Sequence, residues 1–166
     1  MQKLTVSEVA QSSYYDESSY PRSNFIDGNP STLAATKFTT PGDNNWIAVR
    51  VANPQEFKPT GIGWVAVWNR EQHSQLLGAF EVWVGTSAGD YNSATSSLCM
   101  YHPYPGDNED IAQVGPFMSY CGEATDKPWI TVRQRGTGNM LLGLGEIAVY
   151  QAPFTSPPSS PPSPPP

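Results

Sequence analysis

Three groups of residues in this sequence are of a type and spacing that can do chemistry. Asn24, Asp27 and Asn29 fall within six residues around Gly28. Oxygen donors packed this closely can hold a hard cation such as calcium, which takes about 6–8 oxygen ligands. The bland alternative is an ordinary Asx turn. Arg70, Glu71, Gln72 and His73 are consecutive polar groups that can form a polar binding site or a solvated hairpin loop. Gly85-Thr86-Ser87-Ala88-Gly89 matches the G-x-S-x-G pattern of a nucleophilic serine. That motif needs a strand, a sharp turn and then a helix. The next residues, Asp90-Tyr91-Asn92-Ser93, form a loop instead, and the only imidazoles are His73 and His102. The match is read as chance, and no catalytic residue is assigned.

Two cysteines, Cys99 and Cys121, are too far apart for a CxxC redox pair and too few for a zinc cluster. They read as one disulfide of an oxidising compartment, with two buried free thiols as the alternative. The segment around them is rich in Tyr, Pro and Gly. It reads as a loop with little core of its own, which a cross-link would stabilise.

The elements that must position these groups are strands. Trp46–Ala52 alternates, with Ile47, Val49 and Val51 on one face. Gly61–Trp68 is rich in Trp and Val. Phe80, Val82 and Val84 alternate within Gly78–Gly85, as do Ile130 and Val132 within Trp129–Arg135, and Met140–Tyr150 closes the domain. Clusters of Gly, Pro, Asn, Asp and Ser separate them as loops, and no window has helical amphipathicity. Many short strands with long loops predict an antiparallel sandwich or barrel. Most tryptophans belong to strands, whereas Tyr101, Tyr104 and Tyr120 read as exposed loop rings.

Length and charge bound the rest. The chain has 166 residues, of which 14% are charged, with a net charge of −6. That balance argues against nucleic acid and against an anionic membrane surface. No apolar run approaches the ~20 residues of a membrane span. Residues 1–152 read as one globular domain. From Pro153 the sequence is PFTSPPSSPPSPPP, which cannot bury a core and predicts a polyproline II spacer at roughly 3.1 Å per residue. Met1–Ala10 lacks the apolar stretch of a secretory signal, and the chain stops within a proline run. Both ends therefore read as cuts in a longer, multidomain protein. The SPP repeats resemble the stalks of hydroxyproline-rich wall glycoproteins of plants and green algae, which implies a secreted, wall or surface location and O-glycosylation of the stalk. In the globular part the one Asn-x-Ser/Thr match, Asn29-Pro30-Ser31, is blocked by its proline. Asp107-Asn108-Glu109-Asp110 reads as a second cation site or a solvated loop tip.

The order of short motifs is more specific than any one of them. Val9-Ala10-Gln11-Ser12-Ser13, Asn24-Phe25-Ile26-Asp27-Gly28-Asn29, Asn45-Trp46-Ile47-Ala48-Val49, Asn69-Arg70, Leu77–Gly85, Cys121-Gly122, Trp129-Ile130-Thr131-Val132 and Leu144-Gly145-Glu146-Ile147-Ala148-Val149-Tyr150 succeed one another across about residues 9–150. In that order they are similar to the F-type lectin (fucolectin) family and, more distantly, to coagulation factor 5/8 type C (discoidin) domains. The resemblance implies an all-β, galactose-binding-like jelly-roll sandwich of about eight antiparallel strands, with the chain ends on adjacent strands. It implies a structural calcium ion held by Asn24, Asp27, Asn29, a hydroxyl near Thr36, and Glu146. The family's cysteine before that glutamate is Gly145 here. It also implies a sugar site, with Arg70 matching the first arginine of the family's binding triad. The second arginine falls near Gln75 and the histidine near Phe38, so the set available here is Arg70, Gln72, His73 and Phe38. The expected partner is a glycan or glycoprotein, bound without chemistry. The rival expectation is an adhesive module that kept the fold and contacts another protein.

Overall fold

The computed structural model describes residues 2–52, 61–103, 114–124 and 127–152. The Pro/Ser segment 153–166, Tyr104 and the acidic run Asp107–Asp110 lie outside the described residues. Among the described residues there are nine strands: β1 (Val6–Gln11), β2 (Ala34–Ala35), β3 (Trp46–Val51), β4 (Ile62–Asn69), β5 (Ala79–Gly85), β6 (Ser97–His102), β7 (Phe117–Ala124), β8 (Trp129–Arg135) and β9 (Gly143–Gln151). They form two antiparallel sheets, one ordered β1-β3-β8-β5-β6 and the other β2-β9-β4-β7. This is the sandwich the alternating pattern predicts.

Period-2 alternation puts every second residue on the inner face. Ile47 and Val49, Phe80, Val82 and Val84, and Ile130 and Val132 enter the core from one sheet. Val65 and Val67, with Leu144, Ile147 and Val149, meet them from the other. Segment 2–5 runs beside β9, with the Leu4 amide donating to the Val149 carbonyl at 2.8 Å, so the chain's first described residues lie against its last strand.

Four strands, β1, β2, β6 and β7, were not legible in the sequence. β1 and β6 are edge strands whose residues are mostly exposed or half-buried, and β7 is interrupted by glycine. The cysteines therefore sit on strands, not in a loop as expected, and so do Tyr101 and Tyr120. Cys99 on β6 and Cys121 on β7 are disulfide-bonded. Since β6 ends one sheet and β7 ends the other, the bond closes the open seam of the sandwich. The β9 boundary also shifts. Met140 pairs with Thr39 in an isolated bridge, and the strand proper begins at Gly143.

Candidate functional site

At one end of the sandwich the turn leaving β4 faces the segments on either side of β2. Asn69, the last residue of β4, is buried and organises the turn. Its side-chain amide donates to the Ser74 carbonyl at 2.9 Å, and its Oδ1 accepts the Arg70 amide at 2.8 Å. Arg70 Nε donates to the Gln72 carbonyl. His73 then adopts a left-handed backbone (φ 57°, ψ 41°) and opens the short 3-10 turn Ser74–Leu76. This turn is anchored from below. The buried Gln134 side-chain amide reaches the carbonyls of Leu76, Leu77 and Leu141 at 2.8–3.0 Å, and Gln134 Oε1 accepts from Asn45 at 2.9 Å. A buried amide with its partners in place fixes one arrangement of the backbone around it.

The facing wall is aromatic. Tyr15 donates its amide to the Ala35 carbonyl at 3.0 Å. Its ring centroid lies 6.0 Å from that of Tyr20 and 6.4 Å from that of Phe38. All three rings are exposed, Tyr15 at 52% and Phe38 at 46%. The Tyr15–Tyr20 stretch is braced by Asp16, whose Oδ1 accepts from Ser18 and Ser19. Hydrogen bonding from Ser19 and Ser18 lowers the Asp16 pKa to about 2. Together the two walls enclose a cleft of about 330 Å³ lined by Tyr15, Tyr20, Phe38, Arg70 and His73. It continues into a more polar compartment of about 350 Å³ over Ser31, Glu71 and Gln72. Burial lowers the pKa of Arg70 from its ordinary value, while the neighbouring Tyr20 and Tyr15 act in the opposite direction.

The structure thus brings Arg70, Gln72, His73 and Phe38 to one cleft. It adds Tyr15 and Tyr20, which sequence reasoning missed. The signal was present in the run Ser13-Tyr14-Tyr15-Asp16-Glu17-Ser18-Ser19-Tyr20, a concentration of rings among short polar residues between strands. Tyr101 and Tyr120 are exposed but belong to β6 and β7, and Tyr120 packs on Trp64 with ring centroids 5.0 Å apart.

The expected cation loop sits beside the cleft. Asp27 accepts the Asn29 amide at 2.8 Å and the Thr32 hydroxyl at 2.9 Å. Asn24 Nδ2 donates to the Leu33 carbonyl at 2.9 Å, and Asn29 Oδ1 accepts the Ser31 amide at 3.1 Å. Glu146 on β9 reaches the loop and accepts the Gly28 amide at 3.0 Å. Burial raises the Glu146 pKa, Asp27 adds to the rise, and the Gly28 hydrogen bond and Lys3 oppose it. Thr36 is not part of this group. Its hydroxyl is held between the Leu142 amide and the Lys37 carbonyl, because residue 36 continues the pairing of β2 with the start of β9. The hydroxyl that closes the loop belongs to Thr32.

The donor set suits a hard cation. Glu146 Oε1 is buried with no hydrogen-bond partner and only the Lys3 ammonium 3.7 Å away. Asp27 supplies a second carboxylate on the loop that Glu146 reaches, and the other side-chain donors there, Asn24 and Asn29, are oxygen-bearing amides. Among the described residues no three His, Cys, Asp or Glu side chains converge as a metal site.

Ser87 lies in the turn after β5, where the Asp90 amide donates to its carbonyl at 3.3 Å. Asx turns at Asp90 and Asn92 come next, without the helix that a nucleophile elbow needs. His102 is committed elsewhere, stacked on Phe80 and bonded to Ser119 at 2.8 Å.

No protein-family model and no curated protein matches this sequence. Solved structures share its fold. The CBM32 of AlyQ in complex with 4,5-unsaturated mannuronic acid aligns over 92% of this chain and 100% of its own, at a TM-score of 0.59 and 15% identity. The lectin domain of lectinolysin complexed with Lewis B antigen aligns over 88% of this chain and 93% of its own, with TM-score 0.59 and 20% identity. The fucolectin from striped bass (Morone saxatilis) serum aligns over 89% of this chain and 46% of its own, with TM-score 0.61 and 20% identity. An F5/8 type C domain from Bacteroides fragilis has the same architecture, at a TM-score of 0.59. The discoidin and F-type lectin fold expected from the ordered motifs is therefore the fold of this chain. Among the described residues no helix is long and apolar enough to cross a membrane.

Proposed function

We propose that this domain is an extracellular carbohydrate-binding module that recognises its glycan without altering it. The glycan would lie in the cleft between the Arg70–His73 turn and the Tyr15, Tyr20 and Phe38 rings. The observation that carries this reading is the convergence of a half-buried guanidinium with three exposed rings on one loop-end cleft. Sugars need that pairing of planar donors for hydroxyls and an apolar plane for the ring face. The chain's neighbours in fold include a module complexed with 4,5-unsaturated mannuronic acid and a lectin domain complexed with Lewis B antigen.

A calcium ion held by Asp27 and Glu146, with oxygens of Asn24 and Asn29, would rigidify the loop next to the cleft. Its chemistry there is charge neutralisation of two carboxylates; the binding of sugar falls to Arg70 and the rings. In this reading the Ser/Pro segment 153–166 is a spacer that presents the module from a larger wall or surface glycoprotein.

A glycan array with and without EDTA tests the proposal. Glycan binding that disappears in Arg70→Ala, with the fold retained by circular dichroism, is the expected result. Absence of binding to any glycan at every calcium level refutes it. A second reading, an adhesive module that contacts another protein, draws on the resemblance: the family's second arginine falls near Gln75 and its histidine near Phe38, so two members of the binding triad are replaced. Retention of a wall or surface protein by the domain, in the absence of glycan binding, would establish that alternative.

A further inference from the structure

The chain is acidic, with 15 Asp and Glu against nine Lys and Arg. Carboxylates are therefore in surplus, and four of the five arginines have one. Arg22 pairs with Glu17 and Arg50 with Glu8, while Arg133 and Arg135 both pair with Asp43 and Glu81. Arg70 is the exception: among the described residues it has no carboxylate partner. Its Nε is used by the Gln72 carbonyl, and neither terminal nitrogen has an acceptor among the described residues. Among the described residues the one carboxylate lining either compartment of the cleft, Glu71, accepts the Ser31 hydroxyl at 3.1 Å and makes no ion pair with Arg70.

The guanidinium is also held in place. An atom at the Cβ position of Gly143 would stand 3.2 Å from its NH1 and 3.3 Å from its Cδ, so the side chain lies close along the backbone at the start of β9. A half-buried cation loses hydration, and a partner of opposite charge offsets that cost. In every other arginine of this chain the partner is internal. At Arg70 it is absent, the two free nitrogens form a planar fork, and the fork borders a cleft walled by Tyr15, Tyr20 and Phe38. A fork of this kind is matched by a planar carboxylate better than by a hydroxyl.

We infer that the cleft selects acidic sugars, with the carboxylate of a uronic acid seated on the terminal nitrogens of Arg70 and the pyranose face on the aromatic wall. This rests on the carbohydrate-binding reading and names its substrate class. At about 330 and 350 Å³ the two compartments sit at the small end of the ~300–1,000 Å³ range of ligand pockets, which suits the end of an oligosaccharide.

The test is calorimetric titration of the intact chain with galacturonate, mannuronate and glucuronate trisaccharides, each beside its fully methyl-esterified form. Esterification keeps the ring and removes the charge. The expected result is at least a tenfold tighter affinity for one free acid than for its ester. Arg70→Lys, a point charge without a fork, should lose most of that preference, and Arg70→Gln all of it. Equal or tighter binding of the esters overturns the inference while leaving a sugar site intact. Tighter binding of galactose 6-sulfate than of any uronate overturns the assignment of a carboxylate. Failure of every sugar probe to bind the folded wild-type chain removes the carbohydrate reading as well.

Discussion

The Gly28 amide and the Glu146 carboxylate meet at 3.0 Å across 118 positions of sequence, so the loop that flanks the cleft hangs from the last strand. Gly145 makes the approach possible. A Cβ there would run into the Pro30 carbonyl, which is backbone and cannot swing aside. Gly145→Ala should therefore destabilise the domain by about 1–3 kcal/mol, the usual cost of overpacking. Chemical denaturation measures it, and an unchanged midpoint would contradict the contact.

Calcium should raise the melting temperature of the wild-type domain. The gain is about 2.7 kcal/mol at a hundredfold excess over the dissociation constant. Glu146→Gln keeps an acceptor for the Gly28 amide and removes the charge, so its melting temperature should not respond to calcium or EDTA. Asp27→Asn should behave likewise. Differential scanning fluorimetry with and without chelator reads both, and equal calcium shifts in wild type and variants would locate the ion elsewhere or exclude it.

His73 is the one non-glycine residue among those described with a left-handed backbone. That conformation costs an L-residue roughly 1–2 kcal/mol and costs glycine nothing comparable. His73→Gly should then be more stable than His73→Ala by about 1 kcal/mol in urea denaturation, the reverse of their order in regular secondary structure. Both should weaken glycan binding, because both remove the imidazole from the cleft.

Replacing Cys99 and Cys121 together by serine should cost about 3 kcal/mol, from the chain entropy of a loop of this length. Opening the β6–β7 seam should leave the cleft at the other loops intact. The double variant is expected to melt earlier and to bind glycan like the wild type when folded. Loss of binding at temperatures where it is folded would tie the seam to the site.

Burial lowers the pKa of His102 below its ordinary value of 6.5. The folded state then takes up its proton less readily than the unfolded state. The stabilisation from this group is complete above about pH 6.5 and declines as pH falls from there toward the folded-state pKa. His102→Gln should flatten that part of the profile in denaturation curves taken between pH 7.5 and 5. An unchanged slope would assign the acid sensitivity to other groups.

Much of this protein was fixed locally and could be read from the chain. Alternating Val and Ile in β3, β5 and β8 have only one sheet face on which they can be buried, so strand positions, inner faces and the sandwich class came from periodicity. Asn24, Asp27 and Asn29 were legible as one loop because a few residues set its geometry. Edge strands β6 and β7 escaped detection because an edge buries only part of its side chains and its pattern fades. The cleft depended on tertiary structure altogether. Tyr15 and Phe38 are 23 positions apart, and both are far from Arg70 in sequence. They border one cleft only because β2 pairs with β9 and β9 pairs with β4, whose last residue precedes Arg70. Composition could show that carboxylates outnumber cations. Which arginine was left without one was decided by the packing of two sheets.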